Sequence, residues 1–220
     1  MKLHVLPAGL IQTNAYVLSD PVRGEAILID APAAVWPAVQ RVLQADGSRL
    51  VALWLTHGHW DHIQGVPQVV RETGVTVSGH PADRRLFEQS RELLRQPGVD
   101  PSLLPPGIEA MEPVRIDHWL ADGERGEALG QAYEVRHVPG HCPGNVLFHF
   151  PGLQAAFVGD ALFRGSVGRT DLPGGNAAEL TESIRSRIYS LPGATAVYPG
   201  HGPATTVDAE RTGNPFVRAA

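Results

Sequence analysis

Residues 56–62 read Thr56-His57-Gly58-His59-Trp60-Asp61-His62, and they directly follow the unbroken apolar segment Leu50–Leu55. Such a segment is typical of a strand that is buried on both faces. On an extended strand end residues i and i+2 face the same way, so His57 and His59 can bind one ion. On a helix the two imidazoles would point about 200° apart. Asp61 and His62 then begin the next helix and suit a second ion.

Three further candidate ligands each follow a glycine later in the chain: His141 in Pro139-Gly140-His141, Asp160 in Val158-Gly159-Asp160, and His201 in Pro199-Gly200-His201. Together the candidates are five histidines and two aspartates, which is more than one zinc-like ion uses but suits a pair of ions. We expect His141 to complete the first site and His201 the second. Asp160 is the expected bridge, because a carboxylate has two oxygens. The pattern predicts a two-metal hydrolase.

The composition restricts the class of protein. A chain of 220 residues can bury a full core, and we expect one domain over residues 1–220. The net charge of -5 argues against a nucleic-acid partner. No apolar run approaches the roughly 18 residues of a membrane span, and the first residues do not resemble a signal peptide. Cys142 is the only cysteine, so no intrachain disulfide is possible. We therefore expect a cytoplasmic protein that acts on a small molecule, without a membrane partner.

Periodicity and turn residues predict an alternation of strands and helices. The predicted strands are Leu3–Leu6, Ala15–Leu18, Ala26–Ile29, Leu50–Leu55, Val75–Ser78, Tyr133–His137, Val146–Phe150, Ala155–Val158 and Ala194–Tyr198. The predicted helices are Val35–Ala45, Ile63–Glu72, Pro81–Arg95 and Ala177–Ser190, and Pro97–Pro113 is expected to be irregular. This order favours two sheets with helices outside. The candidate ligands then lie at strand ends, where α/β sheets bind their ligands.

The run at residues 56–62, with its three later partners, resembles the metallo-β-lactamase superfamily and, within it, the glyoxalase II-like hydrolases. The resemblance implies an α/β protein with the αβ/βα sandwich of that superfamily, two packed mixed sheets with helices outside. It also implies the ligand sets. Metal 1 would be bound by His57, His59 and His141, metal 2 by Asp61, His62 and His201, and Asp160 would bridge them.

Other features refine the resemblance. The segment from Gly165 to Gly175 is similar to the single-domain bacterial branch of the glyoxalase II-like proteins and has kin among persulfide dioxygenases. Secreted β-lactamases of the superfamily commonly have a cysteine where Asp160 stands. Classical glyoxalase II has a C-terminal helical domain that helps to hold glutathione, whereas only 19 residues follow His201. The only lysine is Lys2, so no lysine contact to glutathione can be transferred to this chain.

The expected reaction is hydrolysis of an acyl thioester, such as a 2-hydroxyacyl derivative of a small thiol, by a hydroxide that bridges the two metals. Asp61 is the expected catalytic residue, which orients the nucleophile and moves its proton. Zinc is the expected metal, with iron or manganese as alternatives. The alternative functions are a mononuclear-iron persulfide dioxygenase, a lactonase, and a metal-binding module without activity.

We expect structural roles for most of the other histidines, arginines and the cysteine. We expect ordinary structural contacts for His4, His118, His137 and His149, and His80 is a candidate for the pocket wall. An ion pair with Asp171 is favoured for Arg169 over a role in fixing the metal loop. Cys142 is expected to be a buried, inert thiol. An ordinary solvated helix face is favoured for Arg84, Arg85, Arg91 and Arg95 over a surface that binds an anionic thiol.

Overall fold

The computed structural model describes residues 1–93 and 110–218, which form two compact units, Met1–His118 and Trp119–Ala220. The boundary between the units falls inside a two-residue strand. The expectation of one domain over the whole chain stays a prediction. Within the described ranges, no helix combines the length and the apolar character that crossing a bilayer requires.

The first unit is built on a six-stranded sheet with the spatial order β1-β2-β3-β4-β5-β6. Its strands are β1 (Lys2–Ala8), β2 (Thr13–Asp20), β3 (Glu25–Ile29), β4 (Arg49–Trp54), β5 (Val77–Gly79) and β6 (His118–Trp119). The β1–β2 and β2–β3 pairs are antiparallel, whereas β3–β4 and β4–β5 are parallel. The parallel pairs need helical crossovers. The helices are α1 (Trp36–Asp46), α2 (Trp60–Ile63), α3 (Val66–Thr73) and α4 (Arg84–Leu93).

The second unit contains a six-stranded sheet with the order β14-β13-β10-β9-β8-β7 and a small hairpin, β11-β12. The strands are β7 (Arg125–Ala128), β8 (Gln131–His137), β9 (Val146–Phe150), β10 (Ala155–Gly159), β11 (Leu162–Phe163), β12 (Ser166–Val167), β13 (Ala196–Pro199) and β14 (Thr205–Thr206). Among the described strands of this sheet, β10 and β13 pair in parallel and the other neighbours are antiparallel. The helices are α5 (Ala177–Ser183), continued by a π-helical turn at Ile184–Ile188, and α6 (Val207–Gly213). They pack on a buried cluster that includes Val158, Leu162 and Ile184.

The predicted fold class is confirmed, because the chain forms two mixed sheets with helices. One predicted helix, Ile63–Glu72, is wrong in detail, since the structure divides it into α2 and α3. Pro67 has no backbone N–H and is tolerated only in the first turn of a helix. The peptide N–H of Gly65 is also diverted to the carbonyl oxygen of Ala31 at 2.7 Å. A new helix therefore begins at Val66.

Other predicted segments also have different limits in the structure. The helix predicted at Pro81–Arg95 begins as a 3-10 turn over Pro81–Asp83 before α4, and its last two residues lie outside the described residues. The segment Pro97–Pro113 lies mostly outside them as well. The strand predicted at Ala194–Tyr198 begins two residues later, because Thr195 donates its N–H to Pro192 in a turn.

Candidate metal centre

The first unit presents two histidines at the end of its central strand. His57 follows β4 and is completely buried, whereas His59 has extended backbone angles and is partly exposed. The extended conformation brings their rings together, with 3.1 Å between His57 Nε2 and His59 Nδ1. Two nitrogens bound to one tetrahedral zinc-like ion, each about 2.0–2.1 Å from it, would lie about 3.3 Å apart. The observed distance fits a shared ion.

Asp61 and His62 lie in α2, immediately after the two histidines. Asp61 is 8% exposed and His62 is fully buried. Asp61 Oδ2 accepts a hydrogen bond from the hydroxyl of Thr13 at 2.7 Å and lies 3.4 Å from His62 Nε2. The predicted position of both side chains at the start of a helix is therefore confirmed.

Asp30 is a site residue that sequence reasoning missed. Its buried carboxylate accepts hydrogen bonds from the backbone N–H of Thr56 at 2.8 Å, from the Thr56 hydroxyl at 2.7 Å and from His62 Nδ1 at 2.8 Å. The φ angle of +59° at Asp30 lies in the left-handed region, which Asp enters more readily than most residues. An acidic residue directly after the apolar strand Ala26–Ile29 was the available signal.

Gly58, between the two histidines, has no room for a side chain. A Cβ atom at this position would lie 2.5 Å from Leu86 Cβ. The Gly58 N–H donates to Asp83 Oδ2 at 2.9 Å, and Asp83 is completely buried. The turn before α4 therefore holds the peptide that separates His57 from His59.

The second unit brings three predicted ligands to one end of its sheet. Because β10 and β13 run in parallel, Asp160 and His201 follow strands that end at the same edge. His141 arrives on the loop after β8. Asp160 Oδ2 lies 3.4 Å from His201 Nε2 and 3.7 Å from His141 Nε2. One carboxylate oxygen thus faces both imidazoles, whereas the sequence predicts one oxygen on each ion.

Asn145 joins the loop that carries His141 to the strand that carries Asp160. It is completely buried, and its side-chain oxygen accepts the N–H of Asp160 at 3.3 Å. Its side-chain nitrogen donates to the carbonyl oxygen of Val158 at 3.2 Å. This side chain fixes the backbone at the end of β10.

Arg169 contacts the candidate ligand His141 through its backbone carbonyl oxygen. His141 Nδ1 donates to the Arg169 carbonyl oxygen at 2.8 Å, so this residue holds the ring of the candidate ligand His141. Its guanidinium forms two 2.7 Å hydrogen bonds with the exposed Asp171, as the favoured ion-pair reading predicts. The hydrogen bond from Arg169 is the main cause that lowers the pKa of Asp171 to about 2. Both predicted roles of Arg169 therefore apply: its carbonyl oxygen holds the His141 ring, and its guanidinium forms the ion pair with Asp171.

The hydrogen bonds settle which imidazole nitrogen can bind a metal. Nδ1 of His62 and of His141 each face an oxygen acceptor, and His57 Nδ1 lies 3.1 Å from the Thr56 hydroxyl, which itself donates to Asp30. Each of these rings therefore carries its proton on Nδ1 and presents the lone pair of Nε2. This arrangement is typical of metal-binding histidines. Donor sets of imidazole and carboxylate fit zinc, iron and manganese.

Other histidines have structural contacts. His4 Nε2 lies 2.8 Å from Asp46 Oδ2, and His137 Nε2 lies 2.7 Å from the carbonyl oxygen of Pro143. His149 is buried in β9, and burial lowers the pKa of its imidazole. His80 caps the 3-10 turn by accepting the N–H of Ala82 at 3.4 Å.

Two further expectations concern a thiol and a helix face. Cys142 is completely buried, as an inert thiol requires. Arg84 and Arg85 are exposed on α4, whereas the side chains of Arg91 and Arg95 lie outside the described residues.

Comparison with known proteins identifies the family. A model of the metallo-beta-lactamase superfamily matches residues 8–201. The hydroxyacylglutathione hydrolase GloC of Haemophilus influenzae is 34% identical, and the match covers 100% of this chain and 99% of the relative. The crystal structure of the BLEG-1 B3 metallo-beta-lactamase has a TM-score of 0.86 and 34% identity, and the match covers 98% of this chain and 99% of that one.

A second solved structure is equally informative about the fold. The protein TTHA1623, crystallised in a di-iron-bound form, has a TM-score of 0.81 and 36% identity, with 97% of this chain and 100% of that chain covered. Both structures match over nearly their whole length, and the fold they share is the one that the sequence predicts. The chain belongs to the metallo-beta-lactamase superfamily.

Proposed function

We propose that the protein is a metal-dependent hydrolase that cleaves acyl thioesters with two divalent ions. His57, His59 and His141 would bind one ion, Asp61, His62 and His201 the other, and Asp160 would bridge them. The observation that carries the proposal is the contact of His62 Nδ1 with Asp30 Oδ2 and of His141 Nδ1 with the Arg169 carbonyl oxygen, because each of these oxygens favours a proton on Nδ1. Rings held in this way are prepared for metal binding through Nε2.

The bound ions would lower the pKa of a water molecule toward about 7 and stabilise the oxyanion that forms during hydrolysis. The residues of the chain supply orientation and proton transfer. Asp61 is the proposed catalytic residue, which orients the attacking water and accepts its proton. The hydroxyl of Thr13 donates to Oδ2 of Asp61 and limits the rotation of this carboxylate.

A thioester is the proposed substrate for two reasons. The thiol of the substrate has a pKa near 8.5 and leaves as a thiolate without a strong general acid. In addition, a relative that is 34% identical over its full length is called a hydroxyacylglutathione hydrolase. A small thiol is proposed as the carrier. The carrier is not restricted to glutathione, because no lysine contact to glutathione is expected: Lys2 is the only lysine and is paired with Asp46 in the first unit.

Zinc is the proposed metal, and iron is the alternative, because one similar protein was crystallised with iron. Imidazole and carboxylate ligands accept both metals. TTHA1623, which is 36% identical, was crystallised with two irons. We propose a cytoplasmic location, a small-molecule substrate and no nucleic-acid or membrane partner.

The test begins with purified protein loaded separately with zinc, iron and manganese. The number of ions per chain is measured by elemental analysis, and each form is offered a 2-hydroxyacyl thioester of glutathione, a lactone, a β-lactam and glutathione persulfide. The β-lactam is included because of the similarity to BLEG-1. Two ions per chain and release of free thiol, abolished in Asp61→Ala, support the proposal.

Two outcomes would contradict it. One iron per chain with oxygen uptake on glutathione persulfide would indicate a dioxygenase. Hydrolysis of the lactone or the β-lactam alone would retain the two-metal site but reject the thioester as substrate. Glu182→Gln is a suitable control, because this residue is exposed on α5.

A further inference from the structure

Glu210 is a buried carboxylate that the proposed reaction does not use. It lies on α6, whose two buried residues are Val207 and Glu210, and it is 4% exposed. Its Oε1 accepts a hydrogen bond from the hydroxyl of Thr205 at 2.7 Å. Its Oε2 accepts the N–H of Gly165 at 2.9 Å and a side-chain N–H of Asn214 at 2.9 Å. Burial of a carboxylate is costly without such partners, so the three contacts stabilise a specific arrangement.

The first of the structures that Glu210 holds is the β11–β12 hairpin. Gly165 lies in the turn of this hairpin, and Asn214 donates a second hydrogen bond to the carbonyl oxygen of Ser166 at 3.0 Å. The hairpin begins two residues after Asp160 and ends two residues before Arg169. It therefore connects the bridging carboxylate to the carbonyl oxygen that orients His141.

The second structure that Glu210 holds is the segment after His201. Thr205 belongs to β14, which pairs with β13, and His201 lies in the loop between these strands. The ring of Phe163, on the hairpin, contacts the ring of His201 edge to face with 6.1 Å between their centroids. The hairpin and the His201 loop thus meet at the imidazole and share Glu210 as a common anchor.

The carboxylate is not needed to dock α6. The hydroxyl of Tyr189 donates to the backbone carbonyl oxygens of Glu210 and Val217, contacts that any residue at position 210 would retain. Val207 and Val217 are also buried in the core of the second unit. The side chain of Glu210 therefore has a separate role, directed at the two loops.

We propose that Glu210 is a positioning residue that sets the relative placement of His141, Asp160 and His201 for metal binding. The inference rests on the proposed function, because it assigns these three residues as ligands. Outer partners of metal ligands typically contribute 10–100-fold in metal affinity. Glu210 acts on the ligands through Gly165, Thr205 and Asn214, so loss of the carboxylate should weaken metal binding by about tenfold, the lower end of this range.

The test compares three variants with the parent protein. Glu210→Met has a similar length but accepts no hydrogen bond from the three donors. Glu210→Gln retains an oxygen for Gly165 and Asn214, and its NH₂ group can donate to the Thr205 hydroxyl, which also accepts. Asp208→Asn is the matched control, since Asp208 is an exposed carboxylate on the same helix whose side chain contacts Arg211.

The dissociation constant for zinc is measured by chelator competition at 10 °C, with folding checked by circular dichroism. The absorption spectrum of the Co²⁺-substituted protein reports the ligand geometry. We expect zinc binding about tenfold weaker and an altered Co²⁺ spectrum for Glu210→Met. We expect values within about threefold of the parent for Glu210→Gln and Asp208→Asn, because their hydrogen bonds persist.

The results separate this inference from the proposed function. If Glu210→Met unfolds at a lower temperature but binds zinc with the parent's affinity and spectrum, Glu210 has a structural role only and the inference is wrong. The two-metal proposal would stand in that case. If the parent itself binds no metal, both are wrong. If Glu210→Met does not fold at 10 °C, Thr205→Val is used instead, because it removes one donor to Glu210. A parental Co²⁺ spectrum in this variant overturns the inference, and an altered spectrum supports it.

Discussion

The hydroxyl of Thr13, at the start of β2, donates a hydrogen bond to Oδ2 of Asp61 at 2.7 Å across 48 residues of sequence. Thr13 is completely buried. The contact ties the second strand of the first sheet to the proposed catalytic carboxylate. It orients one oxygen of Asp61.

Replacement of Thr13 tests this relationship. Thr13→Val keeps the shape of the side chain but removes the donor, and we expect kcat to fall 10–100-fold because Asp61 loses its outer partner. Thr13→Ser keeps the hydroxyl and should stay within about threefold of the parent. Steady-state kinetics of thiol release measure both. Equal activity in the two variants would show that the hydrogen bond does not position Asp61.

Asp30 should contribute to both stability and metal binding. In Asp30→Asn one oxygen becomes an NH₂ group that faces donors from Thr56 and His62, and the unsatisfied groups should cost about 1–3 kcal/mol in the free energy of unfolding. Metal affinity should fall 10–100-fold, because His62 Nδ1 loses its acceptor. Urea unfolding and chelator competition measure the two effects. Asp171→Asn is the control, and a similar loss there would refute the specific role of Asp30.

The free energy of unfolding of the first unit should depend on pH in the acidic range because of Asp46. Hydrogen bonds from Lys2 and then from Ser19 are the main causes that hold the pKa of the Asp46 carboxyl well below its usual range. In the unfolded chain the pKa of this carboxyl is about 3.9, so unfolding in acid takes up a proton. The stabilisation is therefore complete above about pH 5 and is lost progressively as the pH falls below that value.

Urea unfolding between pH 5 and pH 2 tests the role of Asp46. We expect the parent to lose up to about 1.4 kcal/mol more per pH unit than Asp46→Asn below about pH 4. Above pH 5 the difference in the free energy of unfolding between the two proteins should be constant. Parallel loss of stability in both proteins below pH 4 would contradict the assignment to Asp46.

Gly168 is predicted to be intolerant of any side chain. A Cβ atom at this position would lie 1.8 Å from the carbonyl oxygen of Asp160 and 3.0 Å from His141 Nδ1. A contact with backbone cannot be relieved by rotation, so Gly168→Ala should cost about 3 kcal/mol, which corresponds to about 6–12 °C in Tm. Gly213→Ala, with no atom within 4 Å of its Cβ, should be near neutral. Thermal unfolding of the two variants should therefore differ clearly, and equal Tm values would refute the clash.

The sequence predicted the candidate ligands because their pattern is local. His57, His59, Asp61 and His62 lie within six residues, and the spacing i, i+2 distinguishes an extended segment from a helix. The three later ligands are recognisable as Gly-His and Gly-Asp pairs after predicted strands. Strand limits such as Val146–Phe150 agreed for the same reason, since an apolar run between turn residues identifies a buried strand.

The groups that hold the ligands could not be predicted in the same way. Asp30, Asp83 and Glu210 are single acidic residues in no motif, and their roles depend on partners 26, 25 and 45 residues away along the chain. The strands β11 and β12 have two residues each, which is too short for any periodicity to be detected. These features arise from tertiary contacts alone.

The orientation of the His141 ring depends on an atom that every amino acid possesses. Since the acceptor at position 169 is a peptide oxygen, replacing the arginine changes the charge of that loop without removing the anchor of the imidazole. The electrostatics of this loop and the orientation of the ring can therefore change independently during evolution. Substitution at this position therefore changes the charge beside the candidate ligand and leaves the orientation of its ring intact.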